Sequence, residues 1–174
     1  MTKHNLFFDV AFLKVLDVEK KIYTDRPNDR GGPTKFGITL KTLSDYRGKD
    51  CTAEDVRELS EAEAKKIYKD LYWDRLKLSE VDNMNLCMVL FDQAVNRGTW
   101  KVTEQIQKIL GVKVDGVFGP VTLQAVNAIN PKKLIIKFII EAQMAYVDMA
   151  IHGHGQLENL KGWIARTHKL LELV

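Results

Sequence analysis

Apolar residues recur at three- and four-residue intervals along most of the chain, the period of helices with one face turned inward. Phe8, Phe12 and Val15 lie on one such stripe of a first helix, which runs from Leu6 to about Lys20. The pattern then stops. Between Ile22 and Ile38 stand Asp, Asn, Pro and Gly with short extended pieces, which predicts a small β-hairpin or ribbon near residues 22–38. Helical spacing resumes after Thr39, and Gly48 ends that element. Thr52 with Asp55, and Ser60 with Glu63, read as capping boxes opening helices near 53–58 and 61–74. Asn85 to Asn96 is strongly apolar, and a further helix follows to Leu110, where Gly111 stops it. Pro120 and Pro131 suit the first turns of later helices. The total is about eight helices, so the class is mostly α, or α+β with a minor sheet.

Composition narrows the function classes. The chain has 174 residues, 45% hydrophobic and 28% charged, enough for a sizeable core. Twenty-six basic residues against 23 acidic ones give a net charge of +3, with no basic, aromatic-interleaved patch; nucleic acid is not expected as a partner. Cys51 and Cys87 read as free thiols, the latter buried in "LCMVLF". The N-terminus shows no secretory signal, which predicts a chain cytoplasmic as synthesised. The apolar stretch "LIIKFIIEAQMAYVDMAI" carries Lys137, Glu141 and Asp148, so it predicts a buried helix and no stable membrane insertion. His152 and His154 in "HGHG" lack the spacing of a zinc site, and neither a metal nor an organic cofactor is expected.

Glu19 ends the apolar stripe of the first helix, which faces it toward the core or a cleft wall. A carboxyl group that loses hydration there favours its protonated form, the state a general acid needs. Lys20 and Lys21 put positive charge beside it and oppose that effect. Gly31 and Gly32 allow the following loop to fold back on the helix end, bringing Asp29 and the Thr34 hydroxyl across from Glu19. Two acids facing one another across a groove is the layout of glycoside hydrolysis. Asp25 rivals Asp29 for the second role, and Asp29 can equally stabilise its own turn.

"YTDRPNDRGGPTKFGIT" resembles the glycoside hydrolase 108 muramidase signature, roughly EGGYxxDPxDxGGxTxxGIT. "YWDRLKL", "LFDQAVNRG" and "ILGVKVDGVFGPVTLQAV" resemble later blocks of the same family in the same order, and the last corresponds to its predicted peptidoglycan-binding region. The blocks span about residues 10 to 150. The resemblance implies a lysozyme-like helical fold. It also implies cleavage of the β-1,4 bond between N-acetylmuramic acid and N-acetylglucosamine, with Glu19 as proton donor. The Glu…Asp…Thr order is similar to that of phage lysozymes, implying catalytic assistance from Asp29 and Thr34. The family's EGGY is here "EKKIY", which lacks both glycines and holds one more residue. The implied partner is the glycan strand of peptidoglycan, met by a monomer after holin-type release into the wall space. Residues 1–100 form the catalytic region and 101–174 a helical region with the peptidoglycan-binding motif, packed as one unit.

Further candidates for substrate binding are Tyr23, Gly32, Trp73, Gln93 and Asn96. Aromatic faces such as those of Tyr23 and Trp73 stack on pyranose rings. Asp92, Gln93 and Asn96 sit on a buried helix, where they either bond N-acetyl groups or hold one another. "DGVFGPVT", with Thr122, is either a wall-binding motif or a structural turn. The rival functions are a lytic transglycosylase on a similar fold and a non-catalytic wall-binding module.

Overall fold

Capping side chains set the helix starts in the computed structural model, which describes residues 3–19, 21–25, 32–152 and 157–174. Asp29, Gly31 and His154 lie outside the described residues. Thr39 Oγ1 accepts from the Thr42 amide at 3.2 Å. Thr52 and Asp55 bond reciprocally as a capping box. Ser60 caps in the same way at 3.1 Å, but the Glu63 carboxylate is taken by Arg47 at 2.9 Å instead of closing the box. Gly48 and Gly111 end their helices in the left-handed conformation.

The chain forms two compact units, residues 1–74 and 75–174. The first holds α1 (Lys3–Glu19), β1 (Thr34–Lys35), β2 (Ile38–Thr39), α2 (Leu40–Arg47), α3 (Ala53–Arg57) and α4 (Glu61–Tyr68). The predicted helix over 61–74 is α4 followed by a wider π-helical turn, Lys69–Trp73. β1 and β2 pair antiparallel, Thr34 with Thr39 and Lys35 with Ile38. Their two-residue turn, Phe36–Gly37, has φ of 54° and 73°, the primed geometry that follows the twist of a hairpin. Thr24 adds a bridge to Thr34 through two 2.8 Å backbone bonds. Phe8, Phe12 and Val15 are buried, as the stripe predicts.

The second unit holds α5 (Met84–Arg97), α6 (Thr99–Leu110), α7 (Pro120–Ala128), α8 (Pro131–His152) and α9 (Leu157–Leu171). The described residues thus contain nine α-helices and one two-stranded sheet, a mostly helical fold. α8 packs along α9, and α5 along α6. No described helix is long and apolar enough to cross a membrane. Cys51 and Cys87 are free thiols; burial pushes the Cys87 thiol up to about 12.

Candidate active site

Glu19 is the last residue of α1 and is half-buried, one turn beyond the enclosed Val15. The hairpin turn closes on its stem. A Cβ at Gly37 would stand 3.0 Å from Glu19 Cβ, 3.1 Å from its Cγ and 2.7 Å from Tyr68 Oη. Only glycine fits such an approach, and its φ of 73° also disfavours any side chain. Tyr68 is fully buried, stacks edge-on against Phe12 at 5.6 Å and donates from its hydroxyl to the Phe36 carbonyl at 2.8 Å. That bond holds Phe36 at its positive φ and so fixes the turn above Glu19. Gly37 and Tyr68 were not singled out by sequence reasoning; the glycine of "FGIT" is the signal for the first, and nothing local marks the second.

The Lys21 ammonium group pairs with Glu61 at 3.0 Å in an exposed bridge. Thr34 is half-buried in β1, and its hydroxyl donates to the Gly32 carbonyl at 2.9 Å. Gly32 has φ of 61°, a left-handed conformation that favours glycine. The Tyr23 hydroxyl donates to Asp25 at 3.3 Å, and the Arg57 guanidinium covers one ring face at 4.4 Å. Glu19, Tyr23, Gly32 and Thr34 all belong to the first unit; Asp29 falls outside the described residues.

Two of the residues expected at the sugar are enclosed in the structure. Trp73 is completely buried, packed edge-on against Phe8 at 5.3 Å, and has no face to offer a sugar. Gln93 is also completely buried. Its amide donates to Asp92 at 3.1 Å, and its oxygen accepts from the Tyr146 hydroxyl at 3.3 Å. Arg166 of α9 grips both Asp92 oxygens, at 3.0 and 3.1 Å. A polar side chain enclosed between helices needs these partners, so Gln93 ties α5 to α8. Asn96 is half-buried and donates to Tyr146 at 2.9 Å from the edge of the same network.

The "DGVFGPVT" turn is held from inside. Gln107 of α6 donates to Asp115 at 2.8 Å, to the Val117 carbonyl at 3.0 Å and to Thr122 at 3.2 Å, and accepts from the Asp115 and Gly116 amides, both at 3.0 Å. The Gln107 amide, and then the Val117 backbone N–H donating at 3.0 Å, hold the Asp115 carboxyl below the usual carboxylate range. Thr122 is buried.

Comparison with known proteins agrees with this arrangement. The glycosyl hydrolase 108 family matches residues 12–98, half of the chain and the span that includes Glu19 and the hairpin. A family described as a predicted peptidoglycan domain matches residues 102–168. No curated protein matches the chain. The structure of Brucella abortus SagA is similar over 97% of this chain and 93% of its own, at 30% identity and a TM-score of 0.84. With both regions matched in order, the chain belongs to the glycosyl hydrolase 108 family, as a glycoside hydrolase directed at peptidoglycan.

Proposed function

We propose that the chain is a muramidase that hydrolyses the β-1,4 bond between N-acetylmuramic acid and N-acetylglucosamine, with Glu19 as the general acid. The observation that carries this reading is the close seating of the Phe36–Gly37 turn on the Glu19 stem. It fixes the direction of a half-buried carboxyl group at the end of an otherwise apolar stripe. A positioned acid of this kind protonates the leaving glycosidic oxygen as positive charge develops on the sugar. Asp29 opposes it by stabilising that charge or orienting water, and Thr34 assists through the hydroxyl lone pairs it does not use in donating to Gly32. The residues that match the peptidoglycan domain hold the wall while the first unit cuts. In the cell this is the work of a phage endolysin, made in the host cytoplasm and reaching the wall through a holin-type pore.

Mass spectrometry of digested peptidoglycan tests bond and reaction together. Reducing N-acetylmuramic ends are expected. Reducing N-acetylglucosamine ends would place the cut at the other glycosidic bond, and 1,6-anhydromuramic ends would make the protein a lytic transglycosylase.

A further inference from the structure

The second unit contains a groove of about 780 Å3 between α5, α6, α8 and α9 whose lining is both charged and aromatic. Arg97, at the end of α5, lies in its wall with the guanidinium over the rings of Phe138 and Tyr146, at 5.7 and 5.6 Å. One guanidinium nitrogen, Nη2, donates to Gln105; Nε is buried without a hydrogen-bond partner. No carboxylate bonds to Arg97 among the described residues. An enclosed guanidinium with one nitrogen left unpartnered is costly, and a ligand carboxylate would relieve it.

The rim is prepared in a different way. Trp100 is 57% exposed, yet a Cβ at Gly116 would overlap its indole, so the glycine of the 115–120 turn seats the ring. Gln107 in turn fixes that loop through four bonds to residues 115–117. Trp163 stacks on Tyr146 at 5.1 Å on the opposite helix. Glu104 and Glu141, both half-buried, add carboxylates to the same lining. A neutral glycan offers hydroxyl groups and apolar faces but no charge to complement enclosed groups of both signs. A short peptide with carboxylates and an amine has use for all three.

We propose that this groove binds the zwitterionic stem peptide of peptidoglycan, Arg97 receiving a stem carboxylate, Glu104 and Glu141 the amine, and Trp100 the apolar flank. The proposal rests on the reading of the chain as a wall hydrolase, but assigns the second unit to the peptide and not to the glycan. It also explains a fixed, exposed tryptophan that the catalytic step does not use.

The test titrates the full-length Glu19→Gln protein, so that no probe is consumed, while following the tryptophan indole N–H resonances. The probes are a disaccharide-tetrapeptide, the free tetrapeptide and chitotetraose. Both peptide-bearing probes are expected to shift the Trp100 and Trp163 signals, and chitotetraose to leave them in place. Arg97→Gln should weaken peptide binding by about tenfold or more, the loss of one charge-assisted contact. Because Arg97 is largely enclosed, Trp100→Ala and Glu104→Gln are run beside it; both lie at the rim, and each should weaken binding severalfold with unchanged spectral dispersion. Chitotetraose shifting both indoles as strongly as the peptide would overturn the proposal. So would peptide probes that leave both signals unmoved at millimolar concentration, or binding that survives Trp100→Ala and Glu104→Gln. If instead Glu19→Gln keeps wall-cleaving activity, the catalytic assignment fails and the groove titration still stands.

Discussion

Among the described residues of unit 1–74, the buried core is apolar apart from the Tyr68 hydroxyl and the Trp73 indole N–H, whereas unit 75–174 encloses Asp92, Gln93, Thr103, Gln107, Thr122 and Thr167. The first unit shapes its site by packing: apolar rings bury the stripe of α1 and a glycine turn closes on the acid left at the end of it. The second unit positions its surface by hydrogen bonds, with Gln107 stapling one loop and the Arg166–Asp92–Gln93–Tyr146–Asn96 chain joining three helices. The enclosed polar residues of the second unit serve its architecture: Gln93 and Gln107 spend their amides on protein groups.

Substitutions can break this contrast, and the largest effect is expected where packing or pairing is deepest. Asp92→Ala leaves the Arg166 charge buried beside a gap and should cost about 3–5 kcal/mol, read as a lower denaturation midpoint. Trp73→Ala should cost a comparable amount, about 3–5 kcal/mol, through the cavity it opens beside Phe8. Its effect on activity should follow stability alone, whereas loss of affinity in a still-folded Trp73→Phe protein would return Trp73 to the sugar site. Gly37→Ala is the sharper probe of the first unit. Strain at positive φ and the clash with Tyr68 and Glu19 should cost about 1–3 kcal/mol and lower kcat at temperatures where the protein remains folded.

The smallest effect is a pH dependence in the second unit. Gln107 and the Val117 amide hold the folded Asp115 carboxyl below its ordinary range, so its contribution is present above about pH 4 and is lost as pH falls through the folded value. Wild type should lose stability on acidification more steeply than Asp115→Asn, as thermal melts at successive pH values would record. Parallel curves would remove Asp115 from the staple.

Helix positions were legible because caps and breakers act locally. Thr39, Thr52, Gly48, Gly111 and Pro120 each do in the structure what their residue types favour, and the Phe8–Phe12–Val15 stripe is buried as its spacing requires. The Ser60 box half-formed because a distant Arg47 outbid the cap for Glu63, a competition that no window of a few residues contains. The enclosure of Trp73 and Gln93 was illegible for the same reason. Sequence spacing gives the face a side chain occupies but not what packs over it, and their covers are Phe8, 65 positions upstream, and Tyr146, with |i−j| of 53. The closure on Glu19 was partly legible: the turn chemistry announced a ribbon, while the fit of Gly37 against Tyr68 depends on α4.

The central claim is that Glu19 supplies the proton, and Glu19→Gln tests it most directly because it keeps the stem that packs on Gly37 and removes the acid. With an unchanged melting curve, the variant should clear purified cell walls at least about a hundredfold more slowly than wild type. Clearance at near wild-type rate by a folded Glu19→Gln protein would contradict the account.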